Sequence, residues 1–251
     1  VTILDLIPLL NPDHYLRPNQ SFERYYRRKI DFLSKACRYI AISEFSRKEG
    51  IDNLHLADPQ VINASVAIEP YFRPLNIAKE SASQLRKKFS INRPYALYTG
   101  GADERKNLPR LIQAFAALPS ELRQKYQLLF AGKMPEDSIA ELERNAKQAG
   151  LDDGELCFTH YVSDEELVQL YNLCELYVFP SWHEGFGLPA LEAMACGAPV
   201  IGANTSSLPE VIGLDDALFD PMDVESIRNK MHQALTDSSF RKRLREHGLQ
   251  R

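Results

Sequence analysis

Two glutamates eight positions apart, Glu184 and Glu192, flank a pair of glycines in Pro180-Ser181-Trp182-His183-Glu184-Gly185-Phe186-Gly187-Leu188-Pro189-Ala190-Leu191-Glu192. Pro189 suits the first turn of a helix, which sets a helix start near Leu188. Glycines on either side of Phe186 free the backbone to present successive N–H groups, a phosphate-binding device. Glu184 then lies before the helix and Glu192 about one turn inside it, where both can face one crevice. A carboxylate on the helix suits paired hydrogen bonds to a diol such as ribose. One in the loop suits a sugar's hydroxyls, or the positive charge that develops on its ring. Gly185, Gly187 and Ala190 also fit the loose glycine fingerprint of a dinucleotide site. That fingerprint wants a strand running straight into the glycines and an acidic residue at the next strand's end. Ser181 to Glu184 intervene, and Ala203-Asn204-Thr205 carries no carboxylate, which weighs against a dehydrogenase.

Two further loops carry cations. In Gly100-Gly101-Ala102-Asp103-Glu104-Arg105-Lys106-Asn107, Arg105 and Lys106 precede a helix expected from Leu108. Cations at a helix N-terminus oppose the helix dipole, so the arrangement makes sense if an anion such as a diphosphate sits between them. A solvated charge cluster on a surface loop is the plain alternative. In Phe130-Ala131-Gly132-Lys133, Gly132 allows close approach and Lys133 is a candidate phosphate contact, although strand–glycine–helix junctions are common. His183 adjoins Glu184 and suits contact with a donor or acceptor; Trp182 either stacks on a sugar or packs under the loop. His14, His55, His232 and His247 have no partner at metal-ligand spacing, and no metal site is expected. Tyr25-Tyr26 among Arg24, Arg27, Arg28 and Lys29 suits either an anionic membrane face or an ordinary exposed amphipathic helix.

The elements that must position these groups follow from pattern. The 251 residues are 44% hydrophobic and 25% charged, a globular composition, and the net charge of −4 offers no basic excess for nucleic acid. No apolar run reaches a membrane-spanning length. Four scattered cysteines, Cys37, Cys157, Cys174 and Cys196, form no C-x-x-C pair and suit a reducing, cytoplasmic setting. Strands are expected over 1–7, 38–42, 61–68, 95–99, 127–131, 155–159, 176–179, 199–202 and 217–219. Helices are expected over 20–36, 44–51, 108–118, 135–148, 164–173, 188–195 and 207–211, with two more in 223–250 broken at Asp237. Strands alternating with crossover helices predict an α/β fold with a doubly wound parallel sheet. Pro70 and Pro74 bracket a stiff connector, which divides the chain into 1–75 and 76–251.

The run from Glu184 to Glu192, continued by Ala193-Met194-Ala195-Cys196-Gly197-Ala198-Pro199-Val200, resembles the signature of the retaining GT-B glycosyltransferases, group 1 (family 4). The likeness extends to 160–167, 206–211, 220–223 and the Glu104-Arg105-Lys106-Asn107 loop, and so covers nearly the whole chain. It implies two Rossmann-like domains with a nucleotide-sugar between them. The N-terminal, acceptor-side domain would be partial, and the C-terminal, donor-binding domain a complete doubly wound sheet. By the family's pattern Lys106 and Arg105 neutralise the leaving diphosphate, and Glu192 takes the ribose. Glu184, His183 and the Gly185, Phe186, Gly187 and Leu188 backbone hold the donor sugar, with Gly101, Gly132 and Lys133 near the phosphates. Tyr161 and Val162 lie by the base. No metal and no cofactor beyond the donor are implied. The Arg-Lys-Asn variety resembles mannosyltransferases of surface-polysaccharide or lipopolysaccharide assembly, so GDP-mannose is the expected donor and a glycan or lipid-linked acceptor the expected partner. The expected location is cytoplasmic, including the inner face of the membrane. The family usually has His where Leu4 stands, and Leu4 cannot donate a hydrogen bond there; a catalytically inactive, nucleotide-sugar-binding relative is the alternative. The chain reads as the latter part of a longer protein. By itself it is expected to bind nucleotide through the C-terminal half without transferring sugar, and its N-terminal part to be mobile or to pair with a second chain.

Overall fold

The computed structural model describes every residue of the chain except Ser34. Two compact units result. The first comprises Val1–Ala67, His183–Gly187 and Ser206–Val211; the second comprises Ile68–Trp182, Leu188–Thr205 and Ile212–Arg251. Where the proline connector suggested a cut at 75, the first unit's continuous stretch ends at Ala67, and two later segments join it.

In the first unit, β1 (Thr2–Ile3), β2 (Tyr39–Ala41) and β3 (Val61–Asn63) form a parallel sheet in the order β1-β2-β3. Ile3, Tyr39, Ala41, Leu56 and Val61 are its buried core, with Leu33, Ala36, Ile51 and Leu54 packed against it. The strand expected over 1–7 stops at Ile3. Asp5 Oδ1 accepts the Ile7 N–H at 3.1 Å, and Pro8 stands in the first turn of a short helix, Ile7–Leu10. The strand expected over 61–68 stops at Asn63, whose side chain accepts from Ser65 N–H at 2.8 Å while Ser65 turns left-handed. The helix expected over 20–36 is Gln20–Leu33, and Ser34 lies outside the described residues. Helix Glu44–Leu54 is capped by Ser43, which accepts from Ser46 N–H at 2.8 Å, as its position predicts.

In the second unit, β4 (Tyr95–Thr99), β5 (Gln127–Ala131), β6 (Leu156–Phe158), β7 (Leu176–Phe179), β8 (Val200–Ala203) and β9 (Leu218–Phe219) form one parallel sheet. Its order is β6-β5-β4-β7-β8-β9. This is the doubly wound α/β sheet expected. Every residue of β4, β5, β7 and β8 is buried, which is why these strands read as unbroken apolar runs rather than alternating ones. Helix Leu108–Ala116 buries Leu111, Ile112, Ala114 and Phe115 completely. Helix Lys79–Lys88 was not legible in the sequence, because Leu85 is its one buried residue and sets no period. Chain order reverses between β4 and β7. In sheets of this kind, ligands bind beyond the carboxyl ends of the strands at such a switch point.

Candidate functional site

The carboxyl ends of β4 and β5 are shaped by glycine. Gly100 N–H donates to Ala131 O at 3.0 Å and Gly132 N–H to His160 O at 3.1 Å, so the ladder runs one residue past each strand. Gly100 and Gly132 have φ of +139° and +133°, a region side chains rarely adopt. A Cβ on Gly132 would sit 2.6 Å from Gly100 O. The strand ends thus approach each other as only glycines permit. Around Gly101 nothing lies within 4 Å of a Cβ position.

The loop that follows is tied down at several points. Asp103 accepts from Arg105 N–H and opens a turn of 3-10 helix, Glu104–Lys106. Arg105 and Lys106 therefore occupy the last turn of that short helix, where cations are favourable, and Asn107 separates them from helix Leu108–Ala116. Asn107 is left-handed (φ 61°) and buried, and donates to Pro180 O at 3.1 Å and Pro221 O at 2.6 Å. Trp182 N–H donates to Arg105 O at 3.0 Å, joining the end of β7 to the cation loop. Lys106 Nζ stands 5.4 Å from the centroid of the Phe179 ring, the last residue of β7. The loop thus fixes two half-buried cations at the switch point.

Glu192, on helix Leu188–Ala195, is bound to the same sheet by hydroxyls. Its Oε2 accepts from Tyr171 OH at 2.9 Å. Tyr171 OH is 2.8 Å from Thr99 Oγ1, which is 3.0 Å from Tyr177 OH. Burial pushes the Glu192 carboxyl above the usual range, Tyr171 holds it down in part, and Asp164 raises it further.

The Glu184 loop belongs to the first unit. Gly185 O accepts from Ser43 Oγ at 2.6 Å and Ser46 Oγ at 2.9 Å. Glu184 N–H donates to Ser206 Oγ at 3.1 Å, and Ser207 Oγ lies 3.0 Å from Glu184 O and 2.6 Å from Phe186 O. A Cβ on Gly185 would strike the Leu4 carbonyl and approach Asp5 Cβ at 3.1 Å, so this glycine is there for backbone-to-backbone packing. Buried His183 places Nε2 2.8 Å from Oε1 of buried Glu49, with the Phe45 ring edge-on at 5.6 Å. Glu49 Oε2 has no hydrogen-bond partner among the described residues. His183→Ala removes the group facing Oε1 and the ring packed against Phe45, and is expected to cost about 0.5–3 kcal/mol of stability, the range of most destabilising substitutions. Urea denaturation reads this, and a midpoint equal to wild type would show that the pair contributes nothing to the fold.

The predicted site residues thus fall into two sets. Gly101, Arg105, Lys106, Gly132, Lys133, Tyr161, Val162, Leu188 and Glu192 lie in the second unit; His183, Glu184, Gly185, Phe186 and Gly187 lie in the first. Lys133 is exposed, and Tyr161 is 72% exposed. Sequence reasoning assigned no role to Asn107, Thr99, Tyr171 or Glu49. Asn107 carried a signal, since asparagine tolerates the left-handed turn before Leu108-Pro109. Tyr171 and Glu49 carried none, because their partners are far along the chain. Among the described residues no three His, Cys, Asp or Glu side chains converge as a metal site, and no helix is long and apolar enough to cross a membrane.

Sequence comparison places this fold and these loops. The family described as Glycosyl transferases group 1 matches residues 81–251, and the chain belongs to that family. It is 42% identical over 245 residues to the serotype-specific mannosyltransferase WbdA of Escherichia coli, across 98% of this chain and 30% of that protein. The O-antigen chain mannosyltransferase B of Escherichia coli is 35% identical over 229 residues, across 90% of this chain and 59% of that protein. The chain thus spans 30% and 59% of the lengths of these two relatives. Anabaena Alr3699/HepE, solved in complex with UDP and glucose, matches with a TM-score of 0.81 at 20% identity over 99% of this chain and 65% of that one. WaaG, a glycosyltransferase involved in lipopolysaccharide biosynthesis, matches at 0.71 and 20% identity over 85% of this chain and 57% of that one. At such identities the likeness is one of fold, the GT-B class.

Proposed function

We propose that this chain is part of a retaining hexosyltransferase that moves mannose from GDP-mannose to a glycan or lipid-linked acceptor in surface-polysaccharide synthesis. One observation carries the reading: a fixed cation loop and a half-buried carboxylate both stand at the switch point of a chain 42% identical to a mannosyltransferase over 98% of its length. Lys106 and Arg105 face the diphosphate, and Glu192 takes the ribose hydroxyls. The acceptor oxygen bonds to the anomeric carbon as the bond to the diphosphate oxygen breaks, on the same face, and the acceptor's proton passes to the leaving diphosphate. Cations balance the charge that a metal would otherwise carry.

Calorimetry of this chain with GDP, UDP and ADP tests the donor half. GDP is expected to bind tightest, and Glu192→Ala to weaken nucleotide and nucleotide-sugar alike by about 1–3 kcal/mol, the worth of a hydrogen bond to a charged group. Equal affinity of variant and wild type for free nucleotide would remove Glu192 from the site. A second reading, donor binding without turnover, is favoured by Leu4, an exposed apolar side chain at 60% where the family usually has a hydrogen-bonding His. Donor binding by the full-length protein without transfer to any glycan or lipid acceptor would select it.

A further inference from the structure

We propose that Tyr171 is a positioning residue for nucleotide recognition, the last link in a one-way chain of hydroxyl donors that ends on Glu192 and readies that carboxylate for a ribose diol. The inference rests on the role given to Glu192 above. Its direction follows from counting protons. An ionised carboxylate only accepts, so the 2.9 Å contact uses the single Tyr171 O–H as donor. Tyr171 oxygen must then accept from Thr99 Oγ1 across 2.8 Å, and Thr99 in turn accepts from Tyr177 O–H across 3.0 Å. All three protons point toward Glu192.

The chain crosses four elements. Tyr177 lies on β7, Thr99 ends β4, Tyr171 comes from helix Asp164–Leu173, and Glu192 from helix Leu188–Ala195. The two strands flank the switch point, so the sheet itself is wired to the carboxylate. Tyr171 and Tyr177 are fully buried and Thr99 is 4% exposed, which leaves these hydroxyls no solvent to turn to. Aligned donors in a low-dielectric interior polarise one another and strengthen the last bond. Two consequences follow for Glu192. Tyr171 takes one acceptor site of Oε2, which leaves the other on Oε2 and both on Oε1 for a ligand. The carboxylate also stays ionised to lower pH than burial alone would allow, against the opposing effect of Asp164; Tyr71 and Cys196 are the other titratable groups that sense its charge. A purely structural network would satisfy buried hydroxyls and leave nucleotide binding alone.

Calorimetric titration of this chain with GDP and UDP through the acid range separates the two. In wild type, affinity is expected to fall as pH drops through the Glu192 pKa, because the protonated acid no longer accepts from both ribose hydroxyls. Tyr171→Phe removes a donor to the ionised form, so affinity should drop about tenfold and its acid limb should move to higher pH. Tyr177→Phe should act in the same direction but less, being one link further out. Glu192→Gln should bind weakly with no acid limb. Wild-type affinity and acid limb in Tyr171→Phe, alongside weakened Glu192→Gln, would overturn the inference and leave the ribose reading standing. Unchanged binding by Glu192→Gln would overturn both. Should Tyr171→Phe fail to fold, Thr99→Val and Thr99→Ser take its place. Valine must weaken binding and shift the limb, serine must restore both, and wild-type behaviour of the valine variant refutes the chain.

Discussion

On the function proposed here, Lys106→Ala in the full-length protein is expected to lower kcat by roughly 10²–10³-fold while raising KM far less. The loop holds the ammonium in place before any ligand arrives. Arg105 is anchored through its carbonyl to Trp182 N–H, Asn107 through two buried carbonyl contacts, and Lys106 lies over the Phe179 ring. Little reorganisation is then needed when negative charge grows on the bridging oxygen of the diphosphate. That growth occurs between ground state and transition state, so the interaction is differential and appears in kcat. Steady-state kinetics of wild type and variant decide it: a raised KM with kcat unchanged would make Lys106 a uniform binding group. Activity should also persist in excess EDTA, and a strict need for magnesium or manganese would contradict charge balance by Lys106 and Arg105.

Gly132→Ala is expected to destabilise the second unit by about 3 kcal/mol or more, the sum of a strained φ and a backbone clash. Its Cβ would meet Gly100 O at 2.6 Å, and neither carbonyl nor strand can retreat while Gly100 N–H is bonded to Ala131 O. Chemical denaturation measures the loss. A loss below about 1 kcal/mol, the ordinary cost of a point substitution, would mean that the β4 and β5 ends move apart easily. Gly101→Ala is the control, since its Cβ position is open to 4 Å.

Much of this molecule could be read from residue order. Strands Tyr95–Thr99, Gln127–Ala131 and Leu176–Phe179, and helices Asp164–Leu173 and Leu188–Ala195, lie where apolar runs, helical spacing and Pro189 put them. Burial on both faces leaves an unbroken apolar signal, and caps act within a few residues. The first unit was harder to read. Its strands are two or three residues long, and Asp5 and Asn63 end them through side-chain hydrogen bonds that apolar pattern does not register.

Residue types and local spacing alone determined the α/β class, the glycine turns, the paired glutamates and the cation loop, because each depends on neighbours close in the chain. Only the tertiary structure decided what holds those groups. The fold sets Thr99 and Tyr177 side by side, brings Tyr171 onto Glu192, turns Asn107 toward Pro180 and Pro221, and lays His183 against Glu49 across 134 residues. Hydrogen bonds of this kind form where separate elements meet. They reward side chains distant in sequence for being near in space, and no periodicity along the chain encodes that distance.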